Sequence, residues 1–278
     1  AILLGTLLIS GWIVGWWASE LINNYELRIT NYATRHTPHA PLVILAVVLL
    51  LAFYALPIVH TRWGDAYLLS KALAWPDPAL RLTHSWQAPL DLFLHSQLWL
   101  HLHTHMGWAD AMPVYRLLSP LAGLLYLLAA LGVARVVVTA PGWLTFGLLT
   151  SLGVLQLFFG YIENYSFAAA GILLYLWLGL RVLTDQSSLW LAASALALTN
   201  ALHPSTVVLA PSLLYLGWVD WRARTNTLNK TEIQTVLSPG LAIALPMLLV
   251  ALAVIGGMEW GGHGLATLTS TDRPGGGD

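Results

Sequence analysis

The sequence predicts an all-α protein: a polytopic transmembrane helical bundle of about eight spans, with two juxtamembrane helices in its first large outer loop. Hydrophobic residues make up 57% of the 278-residue chain and charged residues only 9%, whereas a soluble domain has about 25% charged residues. The longer apolar runs approach the roughly 20 residues that cross a bilayer core. These runs do not alternate apolar with polar residues, which favours helices over strands.

Candidate spans follow one another along most of the chain. They cover residues 1–18, 42–59, 117–138, 143–159, 166–183, 189–202, 205–221 and 239–257. We interpret residues 1–278 as a single transmembrane domain. The loop-like tail that ends at Asp278 suggests truncation at the C-terminus. The absence of cysteine excludes disulfides and thiolate metal sites. A net charge of −1 without a basic cluster argues against a nucleic-acid partner.

The distribution of Lys and Arg predicts the orientation. If the insert 60–116 lies outside, the short inner connections carry most of the basic residues, as the positive-inside rule requires. Those residues are Arg28, Arg35, Arg135, Arg181, Arg222, Arg224 and Lys230. The outer loop 60–116 then lies on the same side as most of the acidic residues.

The insert itself reads as two surface helices joined by a turn. After Asp65, a short helix places Leu68, Leu69, Ala72 and Leu73 on one face, which suits a membrane surface. A second helix starts near Pro89, a favoured first-turn residue, and runs to about His105, with Gly107 as its stop. Asp110 can cap the next helix, which re-enters the membrane.

Asp65 is the leading candidate for a functional acid. The bland interpretation is a solvated residue or a helix cap. Three neighbouring features favour function: Gly64 allows close approach of a ligand, the cations Arg62 and Lys71 can hold phosphate oxygens, and aromatic residues such as Tyr67 suit stacking on a sugar or lipid.

The histidines of the insert raise the question of a metal. His95, His101, His103 and His105 lie close together in sequence, and Asp91 and Asp110 could complete a site. The simpler interpretation is an amphipathic helix with interfacial His and Trp residues, and no known metal motif is present. The sequence therefore assigns no metal ligand and leaves a divalent metal cofactor open.

Three further polar residues fall at outer span ends. Glu163 lies in a short connection with hydrophobic flanks, where an acid at membrane depth tends to be functional. His203 precedes Pro204 at a second outer junction, and His263 lies in a later outer loop. The hypothesis of an outer site depends on Asp65 and these residues together.

Several segments resemble the GT-C superfamily of integral-membrane glycosyltransferases. The resemblance rests on Trp63-Gly64-Asp65-Ala66-Tyr67 in a large first outer loop, Gln87–Asp91, Phe159–Tyr165 and Leu202-His203-Pro204, within roughly residues 42–265. It implies transfer of a sugar from a polyprenyl-phosphate donor to a glycan, lipid or protein acceptor, with inversion at the sugar carbon. Asp65 would then be the catalytic base. Substrate binding would fall to Arg62, Tyr67, Lys71, Gln87, Asp91, Glu163, His203 and His263.

The resemblance also implies a bacterial inner or plasma membrane location, with the active site facing outside. Two alternatives stay open at this point. A transporter or flippase of a lipid-linked molecule predicts polar groups near the midplane and broken helices. A non-enzymatic membrane subunit that binds haem or metal predicts paired histidines on facing spans.

Overall fold

The structure, a computed structural model, describes residues 39–137, 139–227 and 238–268. Every regular element within these ranges is helical, which confirms the predicted all-α class. The predicted span 1–18 and the C-terminal tail lie outside the described residues.

Nine α-helices are described. They are α1 His39–Ala55, α2 Ala66–Leu73, α3 Pro89–Met106, α4 Met112–Val136, α5 Gly142–Thr150, α6 Ser166–Leu183, α7 Leu189–Leu202, α8 Ala210–Thr227 and α9 Pro239–Trp260. Short 3-10 turns cover Pro78–Leu80, Gly153–Phe158, Pro204–Leu209 and Leu265–Leu268.

Three described helices, α4, α6 and α9, are long and apolar enough to cross a membrane. Residues Ala40–Ala55 of α1 and all of α7 are apolar but shorter. The protein is therefore an all-helical membrane protein, while the predicted count of eight spans is not confirmed.

The predicted span 143–159 is wrong as a single helix. Helix α5 ends at Thr150, Leu152 is extended, and the chain continues as the 3-10 turn Gly153–Phe158. The hydroxyls of Thr150 and Ser151 donate to carbonyls one turn earlier in α5. Such local hydrogen bonds weaken a helix at this point, and so does the low helix propensity of Gly153.

Both helices of the insert are present. Helix α3 runs from Pro89 to Met106 and ends at Gly107, which has a positive φ of 70°. The side chain of Asp110 accepts a hydrogen bond from the Met112 backbone N–H at 3.1 Å at the start of α4, although the residue in the N-cap position is Ala111. Of the predicted apolar face of α2, Leu69 and Leu73 are buried against the protein, whereas Leu68 is exposed.

The insert packs on the start of α4 rather than standing apart from it. Helix α2 buries Ala66, Leu69 and Leu73, which recur at helical spacing, in a cluster with Leu92 and Trp99 of α3. Behind this cluster, α4 packs against α1, α5 and α6, and α6 packs against α7. The insert thereby reaches the connection between the Gly153–Phe158 turn and α6.

Candidate active site

A seam of hydrogen bonds joins residues 58–65, between α1 and α2, to the loop 159–165 before α6. The Ile58 backbone N–H donates to the Phe159 carbonyl at 2.8 Å. The Tyr161 hydroxyl accepts from the Trp63 N–H at 2.7 Å and donates to the Trp63 carbonyl. The Ser119 hydroxyl donates to the Tyr161 carbonyl at 3.3 Å, so α4 is also bonded to the seam.

Gly64 makes the closest approach in this seam. Its φ of 55° is in the left-handed region that favours glycine. A Cβ at this position would also overlap the carboxylate of Glu163. Two independent requirements therefore select glycine here, namely the backbone conformation and the contact with a carboxylate.

Glu163 is the buried acid of the site, with only 8% of its surface exposed. Burial raises the pKa of Glu163 above its ordinary range, and the nearby charge of Asp65 raises it as well. Backbone N–H donors from Asp65 and Asn164 act in the opposite direction by stabilising the carboxylate. Glu163 is thus held in place by hydrogen bonds but accepts a proton more readily than an ordinary glutamate.

Asp65 lies at the edge of the same site. Its side chain is exposed, as the interpretation of a solvated residue predicts, and Asp65 occupies the N-cap position of α2 without a side-chain hydrogen bond to the helix. Its backbone N–H points to the Glu163 carboxylate. The structure therefore brings the two acids together, with Glu163 inside and Asp65 at the rim.

An open cleft of about 350 Å³ lies beside this pair of acids. Its lining residues come from the seam and from the 3-10 turn that replaces the end of the predicted span 143–159. They are Trp63, Gly153, Val154, Gln156, Leu157, Tyr161, Glu163 and Tyr165. Glu163 is the acidic side chain of this lining, and Asp65 is not part of it.

Aromatic rings line the cleft. Trp63 contacts His60 with ring centroids 4.3 Å apart and Tyr161 at 5.7 Å. Tyr165 packs against His203 at 4.8 Å, and His203 Nδ1 lies 2.7 Å from the Ser205 hydroxyl. His203 thus reaches the site indirectly, as support for a ring that lines the cleft.

The remaining predicted site residues lie outside the cleft lining. Arg62, Tyr67 and Lys71 are exposed, and Lys71 lies over the Tyr67 ring at 6.0 Å. Gln87 is also exposed, whereas Asp91 is fully buried beside His95. His263 is stacked on His84 with ring centroids 5.4 Å apart.

Sequence reasoning did not select Tyr161, Gln156 or Tyr165 as site residues. Gln156 gave a signal, since it is a rare polar residue in an apolar run. Tyr161 gave none, because its role depends on the Trp63 backbone, which lies 98 residues earlier in the chain.

The metal question concerns the histidines of α3. Within the ranges 39–137, 139–227 and 238–268, no group of three or more His, Asp or Glu side chains is arranged to hold a metal ion. His103 Nδ1 donates to the Trp108 carbonyl, and His95 Nδ1 donates to the Asp91 carbonyl. The His101 and His105 rings lie 4.3 Å apart on an exposed face.

Fold and site together define the class of protein: a helical membrane protein with a buried acid of raised pKa beside an aromatic cleft. No family model matches the chain, and no match to it is found among the curated proteins or the solved structures. Any assignment of function must therefore be argued from the cleft itself.

Proposed function

We propose that the protein is a membrane glycosyltransferase that moves a sugar from a polyprenyl-phosphate donor to an acceptor outside the cytoplasm. The observation that carries the proposal is the pairing of Glu163 with Asp65 beside an aromatic cleft. The bacterial inner or plasma membrane, and the outward orientation of the site, belong to this proposal as well.

Glu163 is the better placed proton acceptor of the two acids. It lines the cleft, and its raised pKa brings it closer to the pH at which a general base is most effective. In this step, the acceptor hydroxyl gives its proton to a site carboxylate and its oxygen bonds to the anomeric carbon. The bond from that carbon to the phosphate oxygen breaks, and the lipid phosphate leaves with the electron pair.

Asp65 would orient the acceptor hydroxyl from the rim. The sequence-based assignment of Asp65 as the base stays a prediction, and the experiment below separates the two roles. A single displacement of this kind inverts the configuration at the sugar carbon.

The cleft walls suit a sugar. Trp63 and Tyr165 are both substantially exposed and both line the cleft. Aromatic rings combine a large apolar face with a polar edge, which matches the mixed surface of a hexose or pentose. Gln156 adds an amide that can donate and accept hydrogen bonds to sugar hydroxyls.

One wall of the cleft suits a lipid-linked donor. This wall is formed by Gly153, Val154, Gln156 and Leu157. The segment just before it exposes Trp143, Leu148 and Leu152. Exposed apolar side chains beside a cleft favour contact with lipid over contact with water. A polyprenyl chain could therefore lie along α5 while its sugar enters the cleft.

The test uses the full chain in lipid nanodiscs with a panel of polyprenyl-phosphate-linked hexoses and pentoses and a cell-envelope extract as acceptor. Release of polyprenyl phosphate and labelling of the acceptor are measured. We expect Glu163→Gln to lower transfer by about 10²–10⁴-fold, the usual contribution of general-base catalysis. Asp65→Asn should cause a smaller loss, and Asp77→Asn, an exposed acid of the same insert, should cause none.

The outcomes separate the alternatives. A larger loss in Asp65→Asn than in Glu163→Gln would return the role of base to Asp65. No transfer with any donor, together with movement of a lipid-linked molecule across the bilayer, would favour the transporter. Absence of both activities would favour a non-enzymatic membrane subunit.

A further inference from the structure

The cleft has two acids beside it and no basic side chain in its lining. Glu163 lines the cleft, and the charge of Asp65 is close enough to raise the pKa of Glu163. The lining contains neither Lys nor Arg. In the part of the chain that the structure describes, both ion pairs lie elsewhere, within α3 and within α8. The two acids of the site therefore carry charge that no ion pair with a described side chain compensates.

Two arginines lie near the seam, and neither compensates Glu163. The side chain of Arg116 packs against Gly160, but its guanidinium contacts Met112 Sδ. Arg62 is exposed and is not part of the lining. Burial, the charge of Asp65 and two backbone N–H groups account for the shifted pKa of Glu163. A cation that enters the cleft would therefore meet an acid without a basic partner.

The aromatic rings of the cleft also lack a cation. Within the described ranges, Lys or Arg groups lie over four other rings, at 4.9–6.0 Å from the ring centroids. Those rings belong to Tyr67, Trp99, Trp177 and Trp218. None of these contacts involves Trp63, Tyr161 or Tyr165, the rings of the lining. Because Trp63 and Tyr165 are 53% and 47% exposed, a ligand can reach them.

The rings and the acid select the same kind of ligand. The face of an aromatic ring attracts a cation, and Trp does so most strongly. The Glu163 carboxylate supplies the opposite charge and accepts hydrogen bonds from an ammonium group, as does the amide oxygen of Gln156. The face of a ring offers no ligand atom to a metal ion, whereas an organic ammonium group can contact rings and carboxylate alike.

We propose that the cleft binds an organic ammonium group, and that the sugar that enters the cleft is an amino sugar with a free amine. The identity of the ligand as a sugar rests on the proposed function, whereas the ammonium site does not. One ammonium group compensates one of the two carboxylates. The other carboxylate remains to accept the proton of the acceptor hydroxyl. The headgroup of phosphatidylethanolamine has the same chemistry, and the experiment distinguishes the two sources.

The measurement is an NMR titration of the full chain in detergent with isotope-labelled tryptophan. The Trp63 indole N–H reports on the cleft, and Trp63→Phe identifies its signal among the 14 Trp residues. Glucosamine is compared with glucose at about pH 6.5, below the usual pKa of an amine of this kind. We expect glucosamine to bind about 10-fold more tightly, the combined effect of a cation–π contact and a charge contact at a partly exposed site. Equal affinities would overturn the proposal.

Two substitutions separate the charge from the rings. Glu163→Gln removes the charge, and Tyr165→Leu removes one ring. Each should lower the preference for glucosamine over glucose by about 2–5-fold. Asp77→Asn and Tyr54→Leu change an exposed acid and an exposed tyrosine outside the lining, and both should keep the preference. If one of the two cleft variants does not fold, the other suffices, and an unchanged preference in a folded cleft variant would overturn the proposal.

Competition distinguishes the two sources of the ammonium group. Short-chain phosphatidylethanolamine and phosphatidylglycerol are added to the glucosamine complex. Displacement by neither lipid would support the amino sugar. Displacement by phosphatidylethanolamine alone would support the ammonium site but overturn the amino sugar as its ligand.

The transfer assay separates this proposal from the proposed function. A polyprenyl-phosphate donor with an amino sugar should be used in preference to its neutral counterpart. Preferred binding of glucosamine without transfer from any donor would leave the ammonium site intact and reject the proposed function. Transfer of a neutral sugar, with equal binding of glucosamine and glucose, would reject the ammonium site alone.

Discussion

Two of the contacts between the outer insert and the bundle differ in construction. The front contact is the seam between residues 58–65 and the loop 159–165. It consists of one backbone hydrogen bond, the Tyr161 hydroxyl with its two hydrogen bonds to Trp63, and the buried Glu163. The rear contact joins residues 84–86 to 261–263. It consists of the Trp86 indole N–H that donates to the His263 carbonyl at 3.0 Å, and of the His84–His263 stack.

The difference shows which contact serves the site. At the front seam, a glycine with positive φ and a tyrosine with two backbone hydrogen bonds place an acid beside a cleft. At the rear contact, half-buried side chains meet the end of α9 with a single hydrogen bond from Trp86. A catalytic acid must be held in a defined position, so we expect damage at the front seam to affect transfer and damage at the rear contact to affect mainly local stability.

Gly64→Ala should have the largest effect, because it strains the backbone and displaces the Glu163 carboxylate. A non-glycine residue in the left-handed region costs about 1–2 kcal/mol, and overpacking adds about 1–3 kcal/mol. Displacement of a catalytic group by about 1 Å can lower the rate by about 10²-fold. Thermal unfolding and the transfer assay measure the two effects.

Gly107→Ala is the matched control for this substitution. Gly107 also has a positive φ, but a Cβ there would meet nothing within 4 Å. The control should show the backbone cost alone and keep full transfer. Equal losses in both variants would mean that the contact with Glu163 is unimportant.

Tyr161→Phe should have an intermediate effect. It removes the hydroxyl that bonds both the N–H and the carbonyl of Trp63, and each such bond contributes about 0.5–1.5 kcal/mol. Tyr126→Phe, which removes one hydrogen bond to the Leu149 carbonyl from a side chain outside the cleft lining, is the control. Both variants should unfold at lower temperature, and Tyr161→Phe should also lose transfer. Full transfer in Tyr161→Phe would show that the front seam does not need this hydroxyl.

Changes of pH should produce the smallest effect and should separate the two contacts by sign. Burial and the nearby His263 lower the pKa of His84. The folded rear contact therefore binds fewer protons than the unfolded chain, and its stability falls as the pH drops below about 6.5. Burial raises the pKa of Glu163, so its contribution at the front seam is complete at acid pH and declines as the pH rises through that raised pKa.

Hydrogen exchange, corrected for the intrinsic effect of pH, can follow both contacts in one sample. Between pH 7.5 and pH 5.5, protection of residues 84–87 should decrease while protection of residues 63–65 should not. His84→Gln should remove the decrease at the rear contact. A parallel loss of protection at both contacts would contradict the assignment of opposite signs.

Local signals in the sequence determined much of the helical layout. The apolar runs 166–183 and 189–202 have the same bounds as helices α6 and α7. The start and end of α3 were marked by Pro89 and Gly107, because helix ends depend on residues within one turn of them. Asp110 marked the start of α4 to within one residue of its N-cap, Ala111. Polar residues at span ends likewise indicated Asp65 and Glu163 as site candidates.

Only the tertiary structure decided how these pieces form a site. It placed Glu163 inside and Asp65 at the rim, joined Tyr161 to Trp63 across 98 residues, and buried Asp91 with His95. It also broke the run 143–159 into α5 and a 3-10 turn that lines the cleft. Hydrophobicity and capping act over a few residues, whereas burial and the pKa of an acid depend on which distant segments pack against it.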